Sequence, residues 1–440
     1  MRQASPAAVT PAGIEARPFS RFVPVAALLF LFLYSGFCLQ ALPVVAPLML
    51  RDWGMAARSL ATPLALTSIG TGLGAMLGGF IGDAKGRKAP IICFAALQGV
   101  GMTLTGFAAS LATLDILMFV IGFALGGYFP SGMALMTELA PARRRGLMVS
   151  LAILFGPIGL GVCSFLAGLL APRYGWPLLF FVGGGGGVVL VLALIAFVPE
   201  SPRYLARFTA RRGERARIMA RLGLADQENP VPADGATAEK ISALTLLRSR
   251  LFLTLVLWLL FFLYYILGSI VLGWIPVVFS SARFPVWMAS QSLFYWTIGS
   301  VIGTPLAGWV IGRIGVYDTA VLFSMAAVAV IGVLAFVKLD PTWAWLIMTT
   351  LPVAGFAVSG VVTSLYTMAA DFYPSAMRAT GIGLADAVGR IGGVLGAFVG
   401  VFALDLAGVS GFFFLIWCLA LAAFGIFALL RGRGRPVVAD

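Results

Sequence analysis

Apolar residues run in long, nearly unbroken stretches along this chain. They lie near 22–47, 59–82, 89–110, 115–137, 147–171 and 177–198. After one polar interval they resume near 251–277, 287–311, 318–337, 343–369, 379–404 and 410–430. Each stretch reaches or approaches the roughly 20 residues that an α-helix needs to cross a bilayer. The pattern predicts an all-α membrane protein with twelve transmembrane helices, six on either side of the interval. Residues 1–21 then form a disordered cytoplasmic tail, 22–198 an N-terminal six-helix bundle and 199–250 a cytoplasmic linker. Residues 251–430 form a C-terminal six-helix bundle and 431–440 a second cytoplasmic tail.

Two polar motifs recur across the interval. Gly79-Phe80-Ile81-Gly82-Asp83-Ala84-Lys85-Gly86-Arg87-Lys88 separates the second and third runs. Gly308-Trp309-Val310-Ile311-Gly312-Arg313-Ile314-Gly315 echoes it 229 residues later. Glu138-Leu139-Ala140-Pro141-Ala142-Arg143-Arg144-Arg145-Gly146 follows the fourth run. Asp371-Phe372-Tyr373-Pro374-Ser375-Ala376-Met377-Arg378-Ala379 follows the tenth, offset by 233, with acid, proline and arginine at the same spacing. Parallel repeats on equivalent loops imply two pseudo-symmetric halves related about the membrane normal. The charged members Asp83, Arg87, Glu138, Arg145, Asp371 and Arg378 are the candidates for conformational gating.

Composition agrees with the pattern. Hydrophobic residues make up 60% of the chain and charged ones 11%, against roughly 45–50% and 25% in soluble domains. The 53 glycines suit helices that approach closely through small residues. The formal charge of +13 would suit nucleic acid, but its distribution argues otherwise. With the N-terminus inside, 24 of the 30 Lys and Arg residues face the cytoplasm, five lie outside (Arg51, Arg58, Arg173, Arg283, Lys338), and Arg390 lies within a run. That bias is the signature of insertion topology, with both termini cytoplasmic. It removes nucleic acid as a partner. The linker carries ten of the inner charges, and its amphipathic segment near 206–222 suits a surface of anionic lipid. Cys38, Cys93, Cys163 and Cys418 sit in apolar runs, and the chain has no histidine. Metal sites, cofactors and disulfides are therefore not expected.

These motifs resemble the major facilitator superfamily. The carrying residues are Gly79–Lys88, the two acid-Pro-Arg loops and Pro199-Glu200-Ser201-Pro202-Arg203 at the end of the sixth run. Within that superfamily the chain is most similar to the aromatic acid:proton symporters. Gly122-Phe123-Ala124-Leu125-Gly126-Gly127-Tyr128-Phe129-Pro130 and Gly389-Arg390-Ile391-Gly392-Gly393 carry that finer likeness. The resemblance implies the major facilitator fold, two six-helix bundles rocking about a central site. It also exposes departures. The family's Asp-Gly-x-Asp in the first helix is replaced by Ser35-Gly36-Phe37-Cys38, and an arginine early in its fourth helix by Met118.

An ionisable residue buried in the membrane is a functional candidate by default, because burial of charge is costly. Asp386 and Arg390 stand four apart in the eleventh run and share a helical face. Arg390 is the candidate for a substrate carboxylate, with Asp386 positioning it or exchanging a proton; a purely structural ion pair is the competing reading. Tyr34, Gln40, Tyr128, Tyr264, Tyr265, Gln291, Tyr295, Trp296 and Tyr366 lie within runs. They offer the flat apolar faces and polar handles that a midplane pocket uses. Asp115, Asp318 and Asp405 fall at membrane edges. The five-glycine stretch Gly183–Gly187 lies within a run and lacks the Lys-Ser/Thr of a phosphate loop.

The expected function is a monomeric secondary transporter, not an enzyme, of the bacterial inner membrane. Its cargo is a small organic anion, an aromatic carboxylate, moved by alternating access with uptake favoured. Two alternatives stay open: an exporter of lipophilic compounds, and a proton-coupled symporter using Asp386. With no histidine and no first-helix acids, uncoupled facilitated diffusion or anion exchange is the expected mode.

Overall fold

A computed structural model describes residues 19–140, 145–208, 211–222, 251–337, 341–373 and 378–432. The described residues are helical almost throughout. The first half holds α1 (Phe19–Trp53), α2 (Ala61–Lys85), α3 (Lys88–Thr105), α4 (Leu111–Glu138), α5 (Arg145–Tyr174) and α6 (Pro177–Phe197). Two short helices follow, α7 (Pro202–Leu205) and α8 (Arg212–Leu222). The second half holds α9 (Leu251–Ser281), α10 (Val286–Ile314), α11 (Val316–Phe336), α12 (Ala344–Phe372) and α13 (Arg378–Gly432).

Helix α13 counts 55 residues, about 80 Å if straight, against a hydrocarbon core of about 30 Å. Gly408 breaks it with φ 63° and ψ −160°, a conformation open in practice only to glycine. The eleventh and twelfth apolar runs thus become two spans joined at one residue. Eleven helices among the described residues are long and apolar enough to cross a membrane, and the last contains both runs.

The repeat seen in the motifs is written into the backbone. Six described residues have positive φ: Gly54, Gly86, Gly175, Arg283, Gly315 and Gly408. They fall into three pairs at the sequence offsets already noted. Gly54 and Arg283 differ by 229, Gly86 and Gly315 by 229, and Gly175 and Gly408 by 233. Gly86 ends α2 with φ 95°, ψ 167°, and Gly315 ends α10 with φ 87°, ψ 165°. Packing repeats as well. Gly74 of α2 lies against the backbone of Phe123 in α4, and its counterpart Gly303 in α10 lies against Phe356 in α12. A side chain at either position would overlap the facing carbonyl, so these helix pairs approach only because the residue is glycine.

Within the halves α1 packs on α5 and α9 on α13; between them α2 meets α13, and α5 meets α10. Contacts across that seam include Gln40–Leu272, Val44–Ser290, Leu64–Gly273, Phe165–Phe294 and Gly168–Gln291. All five lie towards the helix ends far from the Gly79–Lys88 loop. The Gly72–Arg390 approach is nearer the middle. Beyond it the same face of α2 continues to Met76 and Phe80, 77% and 74% exposed, and a Cβ at Gly79 would meet nothing. The halves close at the far end and diverge at the loop end.

The loop end of the first half is tied together by charge. Arg87 Nε lies 3.2 Å from Glu138 Oε1, and Asp83 stands 3.6 Å from the same guanidinium. Ser201 Oγ donates to Glu138, and its oxygen accepts from Tyr204 N at 3.0 Å, capping α7. Glu200 Oε1 accepts from the backbone N–H groups of Arg87 and Ser201, each at 2.8 Å. The two motifs Gly79–Lys88 and Pro199–Arg203 thus form one network with the end of α4. In the second half Arg431 pairs with Asp318 at 2.7 Å. Asp371 ends α12 exposed, Arg145 opens α5, and the side chain of Arg378 lies outside the described residues. So do the linker residues 223–250 and both chain ends beyond 19 and 432.

Candidate binding cavity

One face of α9 generates the site. Phe261, Tyr264, Tyr265, Gly268, Ser269, Leu272 and Gly273 recur at three- and four-residue steps, so they form a single stripe along the helix. That stripe walls a cavity of about 350 Å³ between the halves. Helix α1 contributes Cys38, Leu39, Gln40, Leu42 and Pro43; α2 adds Leu64, Thr67 and Ser68. Met118 and Ile121 of α4 and Val362, Leu365 and Tyr366 of α12 complete the apolar wall, with Gly393 of α13.

The polar groups are concentrated on the second half. Arg390 Nε donates to Asp386 Oδ2 at 2.9 Å, one turn back on α13. Tyr366 Oη donates to Asp386 Oδ1 at 2.8 Å, Tyr265 Oη donates to the same oxygen, and the two hydroxyls stand 3.0 Å apart. Both carboxylate oxygens are therefore held by protein donors. Side-chain exposures of 33% for Arg390 and 24% for Asp386 leave the pair accessible. Among the described residues no acceptor meets Nη1 or Nη2 of Arg390. The guanidinium retains the donors with which arginine forks a carboxylate.

Elsewhere the Ser and Thr hydroxyls of the wall bond the backbone, while the Tyr264 hydroxyl is buried without a partner among the described residues. Thr67 Oγ1 donates to Pro63 O at 2.8 Å, Ser68 Oγ to Leu64 O at 3.4 Å and Ser269 Oγ to Gly393 O at 2.7 Å. Gln40 Nε2 donates to Leu272 O at 3.4 Å.

Of the residues singled out from the sequence, Gln40, Tyr264, Tyr265 and Tyr366 line the cavity; Asp386 bonds the lining tyrosines Tyr265 and Tyr366, and Arg390 joins through Asp386. The others lie elsewhere. Tyr128 is fully buried and donates to Gln98 Oε1 at 2.7 Å, inside the first half. Tyr34 packs on Gly186 and Gly187 of α6. Gln291 lies against Gly168 on the α5–α10 seam. Tyr295 packs edge-on to Phe294, and Trp296 is buried with its carbonyl against Gly355. Sequence reasoning did not single out Ser269, Leu272 or Phe261, although their spacing from Tyr265 on α9 marks them.

Among the described residues no cluster of His, Cys, Asp or Glu could hold a metal ion. The chamber is mostly apolar, and two of its wall tyrosines, Tyr265 and Tyr366, bond the carboxylate of the Asp386–Arg390 pair.

Comparison with known proteins gives the same frame. The Major Facilitator Superfamily profile matches residues 28–397 and 287–439. The chain is 28% identical over 408 residues to a gallate transporter of Pseudomonas putida, covering 92% of this chain and 90% of the relative. It is 28% identical to the 4-hydroxybenzoate transporter PcaK of Pseudomonas aeruginosa, over 89% of both chains. Its fold is similar to that of the xylose transporter XylE from E. coli in a partially occluded inward-open conformation. That match has TM-score 0.70 at 18% identity, over 96% of this chain and 99% of that one. The nucleoside transporter NupG matches with TM-score 0.69 at 14% identity, over 92% and 99%.

Proposed function

The chain belongs to the major facilitator superfamily, a family of non-enzymatic membrane transporters, and we propose that it carries small aromatic monocarboxylates across the bacterial inner membrane. The observation that carries this reading is Arg390. It lies one turn before the lining residue Gly393 and is paired with Asp386, and its terminal nitrogens meet no protein acceptor among the described residues. The carboxylate docks on that fork while the ring lies against Met118, Ile121, Phe261 and Leu365. The likeness to gallate and 4-hydroxybenzoate transporters supports the same class of cargo.

The cycle follows from the seam. With the Gly79–Lys88 loop in the cytoplasm, as the basic-residue bias requires, the divergent end faces inward and the closed end outward. Rocking of the two halves then exposes the cavity to each side in turn. The Arg87–Glu138–Ser201 network holds α2, α4 and α7 as a unit during that motion. Asp386 stays on Nε of Arg390, held by Tyr265 and Tyr366, while an anion docks on Nη1 and Nη2. Each carboxylate oxygen of Asp386 already has a protein donor, which favours facilitated diffusion or anion exchange over proton symport.

The test is competition in a binding assay on purified protein. Benzoate displacing a bound aromatic acid, with benzamide inert, supports the reading. Displacement by cationic dyes with indifference to benzoate would replace it with an exporter of lipophilic compounds.

A further inference from the structure

Pro276 lies inside α9. A proline has no N–H, so the carbonyl four residues earlier loses its helical donor. That carbonyl belongs to Leu272, which lines the cavity. Its partner comes from the other half of the molecule: Gln40 Nε2 donates to Leu272 O at 3.4 Å. Gln40 is 1% exposed and lines the same cavity. A proline-vacated acceptor on one half is thus met by a cavity-wall side chain on the other.

The opposite arrangement is not repeated. Pro47 of α1 stands 229 residues before Pro276 and vacates the carbonyl of Pro43 in the same way. The residue at the matching offset from Gln40 is Ser269, and it donates to Gly393 O within its own half. The bond from Gln40 therefore belongs to the seam, not to the symmetry of the bundles. Just beyond it, towards the closed end, Ser290 Oγ donates to Val44 O at 3.0 Å, and Leu64 lies against Gly273.

We propose that Gln40 is the positioning residue that couples an occupied cavity to closure of the outer gate. The proposal rests on the cavity being the transport site. One amide N–H of Gln40 holds Leu272, which leaves its second N–H and its Oε1 for a ligand. A bound aromatic acid that engages these groups fixes the side chain in the rotamer that bridges the halves. At 3.4 Å the bond is longer than the usual 2.7–3.2 Å, which leaves room for a ligand on the same amide to tighten it. When the outer ends part, water entering the cavity takes over both groups.

Cys38 provides the reporter, because it lines the cavity and is 4% exposed. The full-length chain, with Cys93, Cys163 and Cys418 replaced by serine, is treated from the outside of intact cells with a membrane-impermeant sulfonated maleimide. The rate of Cys38 alkylation reports outer-gate opening. Gln40→Leu is expected to raise it about 2- to 12-fold, the change set by one net neutral hydrogen bond. Gln40→Asn keeps the amide but is a methylene shorter, and is expected to behave like Gln40→Leu. The deciding variant is Pro276→Ala, which returns an N–H donor to Leu272 within α9. In that background Gln40→Leu is expected to change the rate less than about twofold. An equal effect in both backgrounds, or no effect in either, would overturn the latch. Benzoate is expected to slow alkylation in the otherwise native chain and much less in Gln40→Leu; equal slowing in both would overturn the coupling. A chain in which benzoate slows neither, while the Pro276 cycle behaves as described, contradicts the carboxylate reading of the cavity and supports the latch alone.

Discussion

Arg390 and Asp386 stand one helical turn apart on α13, Nε to Oδ2 at 2.9 Å, with the second carboxylate oxygen taken by Tyr366 at 2.8 Å and by Tyr265. This is more than an i, i+4 pair. Two hydroxyls from two other helices hold Asp386 on Nε, which leaves the terminal nitrogens of Arg390 without an acceptor among the described residues.

Removing those hydroxyls frees Asp386 Oδ1 to reach for the terminal nitrogens of Arg390, and so tests whether that fork binds the cargo. Tyr265→Phe and Tyr366→Phe keep the rings and delete one donor each. Asp386 then competes more strongly for Arg390, and a carboxylate ligand binds less well. Hydrogen bonds to charged groups contribute about 1.5–3 kcal/mol, so each variant is expected to raise the benzoate KM for transport roughly tenfold, and the double variant further. An unchanged KM in the double variant contradicts the arrangement.

Orientation is tested without a ligand. A cysteine introduced at Gly213, in α8, is expected to react with an impermeant maleimide only in inside-out vesicles. Labelling in intact cells would reverse the topology, and with it the side on which the cavity opens.

Much of this architecture is legible in the sequence, for definite reasons. Lipid demands long apolar runs, and those place the spans. The break between the eleventh and twelfth runs coincides with Gly408, and the motif echo between Gly86 and Gly315 reappears as nearly equal backbone angles. The Asp386–Arg390 pair follows from its spacing alone. Which way a helix faces is harder to read. Lipid is as apolar as the packed interior, so the periodic contrast that orients a helix in water is weak here. Tyr128 and Tyr34 therefore look like cavity residues in sequence and are packing residues in the fold. The bond from Gln40 to Leu272 depends on a contact across 232 positions, which no local pattern carries.

Close packing supplies a prediction about stability. At Gly74 and Gly303 an added side chain would strike the backbone of Phe123 and Phe356. Gly74→Val and Gly303→Val are each expected to cost at least the roughly 1–3 kcal/mol of overpacking, read as a lower Tm in detergent. Gly79→Ala and Gly308→Ala, where a Cβ meets nothing, are expected to leave Tm unchanged or raise it slightly. Equal losses at all four sites would show that proximity to the facing helix is not the cause.

Coupling is tested in proteoliposomes with an imposed inward proton gradient. Uptake of labelled benzoate is expected to equilibrate faster than in protein-free liposomes and to reach the same final level. Accumulation above that level, lost in Asp386→Asn, would show that Asp386 carries a proton and that the protein is a symporter.

The central claim is that Arg390 holds the carboxylate of the cargo, and isothermal titration of the purified protein with benzoate and with benzamide tests it most directly. The wild-type chain is expected to bind benzoate and to give no heat with benzamide. Truncating one side of a desolvated charge pair costs about 2–5 kcal/mol, so Arg390→Ala is expected to weaken benzoate at least about 30-fold with Tm preserved. Arg390→Lys is expected to recover part of the loss, since a point charge does not reproduce the fork. Wild-type affinity for benzoate in Arg390→Ala would contradict the account, and would leave the Asp386 pair as a structural ion pair.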